Sequence, residues 1–148
     1  MNNTSGQSLS ESSPSVQAHL GIMQGVIQRM AANCSACKAW CITVVSAVLI
    51  LVADKGKPEF AYIALIPTLL FLALDAYYLG LEKGFLKTYN EFIEKLHAGK
   101  AMPVDLFAVL PSGNQSSHQL KALLSFSVWG FYSTLFILIA ITRQIVLQ

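Results

Sequence analysis

The chain has 148 residues, of which 54% are hydrophobic and 12% are charged, and its formal net charge is +2. A single domain's length of chain with so few charges does not fit an ordinary soluble protein. The small, scattered positive charge gives no support to nucleic-acid binding. The composition therefore predicts an all-α integral membrane protein.

The chain begins with a largely polar segment of 15 residues, which is low in complexity. Such a segment cannot bury enough apolar area to fold, so we expect residues 1–15 to form a disordered tail. It has no basic segment followed by an apolar core, and a cleavable signal peptide is not expected. Ser13 before Pro14 predicts a helix start, with the serine as N-cap and the proline in the first turn.

A heptad pattern follows this helix start, because apolar residues recur at alternating spacings of four and three. The pattern consists of Val16, Leu20, Met23, Ile27, Met30, Cys34, Cys37, Cys41, Val44, Val48 and Leu51. It predicts one helix from about Val16 to Ala53, with residues 39–53 crossing the membrane. We expect its part from Leu20 to Cys41 to be a seam between copies of the chain. In the membrane half, any packed neighbour could satisfy the pattern equally well.

The next segments predict a helical hairpin. Gly and Pro within residues 54–59 indicate a tight turn, and a second apolar run at residues 60–81 indicates a second span. We expect a kink at Pro67, inside that helix. An apolar stripe carries the helix beyond the membrane to Gly99, a C′ glycine. Residues 16–98 thus form a hairpin with long cytoplasmic extensions.

The last third of the chain is predicted as a loop and a third apolar helix. Residues 99–117 contain two prolines and a polar cluster, which indicate a cytoplasmic loop, and its apolar piece VDLFAVL is expected to dock as a short helix or strand. Residues 118–148 are the third helix, in which Ala122 to Thr142 are 21 residues without a charge. This stretch is long enough to span a core of about 30 Å. The alternative is a helix packed against protein without crossing.

The basic residues predict the orientation of the spans. With the N-terminus in the cytoplasm, seven of the ten basic residues lie inside: Arg29, Lys38, Lys83, Lys87, Lys95, Lys100 and Lys121. This arrangement follows the positive-inside bias. Both cytoplasmic half-helices then carry apolar stripes that one hairpin cannot cover, and we expect a closed homo-oligomeric ring.

Three stretches of the chain resemble a known family: HLGIMQGVIQRMAANCSACKAWCITVVSAVLILVA, FAYIALIPTLLFLALDAYYLGLEKGFLKTYNEF and SFSVWGFYSTLFILIAI. They are similar to the RipA-like octameric membrane proteins, and more distantly to two-helix membrane effectors of anti-phage systems. The most specific element is the run from Leu74 to Tyr78, with Glu82 after it. The resemblance implies an octameric assembly in the bacterial inner membrane, enclosing a pore, with a role in phage defence or membrane stress.

Asp75 is the ionisable residue inside an apolar run, which makes it the first candidate for a functional site. Asp75, Tyr78 and Glu82 recur at helical spacing on one face, so they are predicted to line a lumen or an interface. The alternative is that Asp75 accepts a hydrogen bond from a neighbouring helix and fixes packing.

The three cysteines, Cys34, Cys37 and Cys41, include a C-x2-C pair, but a structural zinc site needs four ligands. We interpret them as small packing residues of the seam, although copies in a ring could bring further ligands together. The sequence contains no catalytic, metal-binding or cofactor motif, and we expect no enzyme activity, metal or cofactor.

Three functions fit these features. The first is an oligomeric pore or membrane-perturbing assembly, whose partners are its own copies and the lipid bilayer. The second is a non-conducting membrane scaffold that recruits a cytoplasmic protein through its helices and loop. The third, a small transporter, is the least supported because no internal repeat is present.

Overall fold

The computed structural model describes residues 9–146, and helices are the only regular elements in this range. The α-helices are α1 (Pro14–Lys55), α2 (Leu65–His97), α3 (Gln115–Leu123) and α4 (Phe126–Val146), with 3-10 turns at Pro58–Ala64 and Pro103–Asp105. Three helices are long and apolar enough to cross a membrane: α1, the continuous helix Pro58–His97, and α4 as far as Ile145. The all-helical prediction with three apolar helices is confirmed.

The long helix α1 begins and ends at local signals. The Ser13 side chain accepts a hydrogen bond from the backbone N–H of Val16, and Pro14 opens the helix. Gly56 ends it in the left-handed conformation, with φ of 62°. The 42 residues between these signals span about 63 Å at 1.5 Å per residue, which is twice the thickness of a hydrocarbon core.

The buried stripe of α1 follows the heptad only as far as Cys41. Val16, Met23, Cys34, Cys37 and Cys41 are buried, whereas Leu20, Ile27 and Met30 are partly buried. Beyond Cys41 the helix buries Val45 and Val52 within the chain and exposes Val44 and Leu51, while Val48 is partly buried. A straight α-helix drifts by about 20° per heptad from a 3.5 repeat, so the covered face moves on by one residue.

The connection between α1 and α2 contains a 3-10 helix that the sequence did not predict. The chain enters a 3-10 turn at Pro58–Ala64, and α-helical geometry begins at Leu65. Pro67 thus lies in the first turn of α2, where the missing backbone N–H has no partner to lose. The helix type changes at the start of α2, and the expected kink at Pro67 stays a prediction.

The C-terminal end of α2 has the predicted glycine at C′. Gly99 has φ of 64°, and its N–H donates to the Leu96 carbonyl at 3.0 Å. The N–H of Lys100 donates to the Lys95 carbonyl at 2.9 Å. These two bonds form the Schellman motif, which satisfies the last carbonyls of the helix.

The third apolar segment is two helices rather than one. Asn114 caps α3 by accepting hydrogen bonds from the N–H groups of Ser116 and Ser117, so the helix starts before the predicted His118. The chain breaks after Leu123, and the Ser125 carbonyl accepts from the Trp129 N–H at 2.9 Å to begin the next helix. The Ser125 side chain does not cap α4, because its hydroxyl is buried without a hydrogen-bond partner within the described residues.

The interior has two parts. One apolar cluster joins α1, the first 3-10 turn and α4, and it contains Cys41, Val45, Val52, Ala61, Ala64, Val128, Tyr132, Leu135 and Ile139. A smaller cluster at the other end of the hairpin contains Val16, Phe92, Leu96 and Ala101. Leu9 packs on the smaller cluster, and its N–H donates to the Ala101 carbonyl. Residues 1–8 of the predicted tail lie outside the described residues.

Candidate functional site

Asp75 lies in α2, fully buried, and its carboxylate faces α1 rather than the outside of the bundle. The Lys38 ammonium of α1 lies 2.6 Å from Asp75 Oδ2, and the Lys38 side chain is 21% exposed. The Cys34 thiol also donates to the Asp75 backbone carbonyl at 3.8 Å. The carboxylate is therefore neutralised within the chain, where it joins the two arms of the hairpin.

Two buried polar atoms near this ion pair have no hydrogen-bond partner within the described residues. Asp75 Oδ1 and the Tyr132 hydroxyl are both buried, and neither has a hydrogen-bond partner among residues 9–146. Lys38 Nζ lies 6.0 Å from the centre of the Phe131 ring, beside Tyr132 in α4. The ion pair thus lies where α1, α2 and α4 approach one another.

The predicted companions of Asp75 do not join this ion pair. Tyr78 and Glu82 are partly exposed, and neither supplies a hydrogen bond or an ion pair to Asp75 in the described part of the chain. The Tyr78 ring packs edge-on against Tyr77 at 5.5 Å between centroids. A lumen or interface role for the three residues stays a prediction.

The three cysteines are buried and free, on the side of α1 that this chain's own helices cover. No cluster of three metal-ligating side chains is found within the described residues. Met23 is also buried within the chain. The role of the Leu20 to Cys41 seam between copies stays a prediction, and much of its surface is already used by the hairpin.

The threonine hydroxyls of the apolar helices are satisfied locally. Thr43, Thr68, Thr134 and Thr142 each donate to the carbonyl four residues earlier in the same helix. Hydrogen bonds of this kind let a hydroxyl face lipid without an unpaired donor. These side chains therefore need no water-filled lumen.

A second candidate site is the segment of residues 100–112, which we call the return loop because it runs back along α2. The Asp105 carboxylate accepts from the Met102 N–H at 2.9 Å and from the Lys95 ammonium at 3.1 Å. These two contacts, the backbone bond first, hold the pKa of Asp105 below its ordinary value of 3.8. They fix the first turn of the loop to the end of α2.

The middle of the return loop is attached to α1 through a buried histidine. The Phe107 N–H donates to His19 Nδ1 at 3.0 Å, and the His19 ring packs edge-on against Phe92 at 4.6 Å. Burial lowers the pKa of His19 below 6.5, and the Asp105 carboxylate opposes part of this shift. A neutral imidazole is what this contact requires, because Nδ1 must accept the hydrogen bond.

Phe107 also has an unusual backbone conformation. Its φ is 63°, in the left-handed region that a bulky residue rarely adopts. Such a residue costs roughly 1–2 kcal/mol relative to ordinary geometry. The His19 hydrogen bond helps to hold the loop in this shape.

The end of the return loop is fixed by Thr88 of α2. The Thr88 hydroxyl donates to the Leu110 carbonyl at 2.7 Å and accepts from the Ser112 N–H at 2.9 Å. The Ser112 hydroxyl donates to Glu91 at 2.8 Å. A Cβ added at Gly84 would lie 2.9 Å from Pro111 Cβ, so the glycine lets the loop approach α2 closely.

The anchored return loop presents apolar side chains outward. Val104 is 81% exposed and Leu110 is 74% exposed, and Met102 and Phe107 are also exposed. The predicted short helix forms only at the start of this apolar piece, as the 3-10 helix Pro103–Asp105, and the chain that follows it is irregular. The attachment of the loop to α1 was not apparent from the sequence, although His19 beside the apolar residues of α1 was a signal of a buried polar contact.

Comparison with known proteins adds no assignment. The chain matches no protein-family model, no curated protein and no solved structure. The RipA-like resemblance of the sequence therefore stays a prediction.

Proposed function

We propose that the chain forms a homo-oligomeric, non-conducting scaffold in the bacterial inner membrane, with its N-terminus in the cytoplasm and the return loop offered to a soluble partner. The observation that carries this proposal is that the loop is anchored at Asp105, Phe107 and Ser112 while Val104 and Leu110 point outward. A pre-organised surface loses less conformational entropy when it binds.

The location of the loop favours a protein partner over lipid. The return loop contacts α2 at Thr88 and Lys95, beyond the predicted span of residues 60–81. At 1.5 Å per residue these contacts lie about 10 to 20 Å outside the hydrocarbon. Apolar side chains held in water at that distance indicate an interaction surface.

Homo-oligomerisation is supported by the uncovered face of α1. Gly21, Gly25, Ala32, Ala36 and Ala39 are exposed, share one side of the helix, and lie opposite the buried cysteines. A Cβ added at Gly21 or Gly25 would meet no atom within 4 Å, so the fold of one chain does not require these glycines. Each costs the helix about 1 kcal/mol relative to alanine, and close approach of a second helix would explain them.

The pore interpretation depended on Asp75 lining a lumen. Asp75 is covered by the chain's own helices and paired with Lys38, which weakens that interpretation because its first candidate lumen residue is not free. We leave phage defence out of the proposal, because no contact in the structure bears on it.

The loop is tested by a photo-reactive amino acid placed at Val104 in the full chain, with Ser116 of α3 as the matched exposed control position. We expect Val104 to form a discrete adduct with another protein, absent from the Ser116 probe and lost when Leu110→Glu is added. The Leu110→Glu variant should keep the oligomer mass of the wild type. Adducts with its own copies alone, or loss of the oligomer in Leu110→Glu, would contradict the scaffold.

Conduction is tested separately with the wild-type protein in liposomes loaded with a fluorescent ion indicator. A non-conducting scaffold predicts ion flux no faster than in empty liposomes at equal lipid concentration. Flux that rises with the amount of protein would restore the pore.

A further inference from the structure

A groove lies at the membrane face opposite the return loop, between the start of α2 and the last turns of α4. Its volume is about 530 Å³, within the usual range of ligand sites, and its lining is mostly apolar, with Leu65, Phe136 and Ala140 among its walls. Ile137 and Ile141 at its side are exposed, so the groove opens laterally, where the bilayer would surround a spanning helix.

Arg143 stands at the rim of this groove. Its guanidinium lies 5.1 Å from the centre of the Tyr62 ring, which holds it at the end of the span. Arg143 Nε is buried without a hydrogen-bond partner, and no carboxylate among residues 9–146 forms an ion pair with it. A buried guanidinium donor without an acceptor is unfavourable unless a ligand supplies one.

The other basic residues of this face are differently placed. Lys55 pairs with Asp54 at 3.9 Å, and Lys57 lies over the Phe60 ring at 5.5 Å. Arg143 is thus the cation at this face that combines an unsatisfied donor with an adjoining apolar groove.

The occupant must be apolar along the groove and anionic at the rim. A phospholipid has both properties, since an acyl chain fits an apolar groove open to the bilayer and a guanidinium binds phosphate oxygens in a bidentate manner. We infer that this groove is a binding site for an anionic phospholipid, with Arg143 holding the phosphate beside Tyr62. The inference is independent of the proposed scaffold function.

The test uses native mass spectrometry of the full-length protein in detergent, with phosphatidylglycerol or phosphatidylcholine of identical acyl chains. We expect the wild type to retain phosphatidylglycerol preferentially. Arg143→Gln should weaken that binding by about tenfold, as expected for loss of a charge-assisted contact. The matched control Lys57→Gln removes the same charge from the same face outside the groove, and it should bind lipid like the wild type.

Two further variants keep the inference falsifiable if Arg143→Gln fails to fold. Arg143→Lys keeps the charge but loses the bidentate geometry of the guanidinium. We expect its affinity for phosphatidylglycerol to lie between those of the wild type and Arg143→Gln. Ala140→Trp fills the groove and should reduce retention of both lipids. The site would be overturned if the wild type retained the two lipids equally, or if Arg143→Gln and Lys57→Gln lost equal amounts of phosphatidylglycerol. A changed oligomer mass in Ala140→Trp would also overturn it, because a second copy of the chain would then occupy the groove.

Discussion

At the scale of single residues, Lys38 and Asp75 join the two arms of the hairpin through a largely buried ion pair. Replacing Asp75 by Asn leaves the largely buried Lys38 ammonium without its counter-ion, and we expect a loss of about 3 kcal/mol. The double variant Lys38→Met with Asp75→Leu removes both charges, so it should be more stable than Asp75→Asn. Thermal unfolding in detergent, followed by circular dichroism, measures both effects. A double variant no more stable than Asp75→Asn would contradict the expected cost of the unpaired ammonium.

His19 gives the return loop a predictable dependence on pH. The docked loop holds His19 neutral with a lowered pKa, so below pH 6.5 the released loop binds the proton and the docked loop does not. Docking is therefore fully stable above pH 6.5 and weakens as the pH falls, by at most about tenfold per pH unit. The cavity around His19 is also lined by Asp105, Glu91 and Lys95. Protonation of Asp105 weakens docking as well, but only at a pH below the ordinary pKa of 3.8.

Hydrogen exchange of residues 104–110 measures this dependence after correction for the intrinsic effect of pH. We expect protection to fall between pH 7.5 and pH 5.5 in the wild type, both values being chosen to lie about one unit from the ordinary histidine pKa. His19→Gln should remove the change. The same pH dependence in His19→Gln would assign it to another group.

At the scale of elements, two helix glycines have opposite surroundings. A Cβ at Gly84 would lie 2.9 Å from Pro111 Cβ, whereas one at Gly21 would meet nothing within 4 Å. Gly84→Ala should therefore displace the return loop at a cost of about 1–3 kcal/mol, while Gly21→Ala leaves the loop in place. Hydrogen exchange of residues 108–119 distinguishes the two variants. Equal protection in Gly84→Ala and the wild type would contradict the close packing.

Two helix ends could be predicted from the sequence, whereas two other features of the helices could not. The Ser13 cap and the Gly99 motif were predictable because the bonds that make them lie within one turn of the helix end. The shift of the buried stripe to Val45 follows from the drift of a straight helix against a 3.5-residue repeat, so the apolar spacing alone does not reveal it. The break at Ser125 depends on where α3 packs, which has no signal in that spacing.

At the scale of the whole molecule, the apolar pattern was sufficient to predict three apolar helices and a second helix that continues past residue 81 to His97. It could single out Asp75 but not its partner, because Lys38 is distant in sequence and meets it only through the hairpin register. The sequence predicted a loop here but not its shape, because that shape depends on His19 of α1 and Thr88 of α2.

The central claim is that copies of the chain assemble through the uncovered face of α1, and the mass of the detergent-solubilised protein tests it most directly. Native mass spectrometry should give one discrete integer multiple of the 16.1 kDa chain. Gly25→Leu should shift the protein toward monomer by blocking close helix approach, whereas Ala73→Leu on the exposed side of α2 should keep the wild-type mass. A wild-type protein that is monomeric at micromolar concentration, or a Gly25→Leu variant with unchanged mass, would contradict the claim.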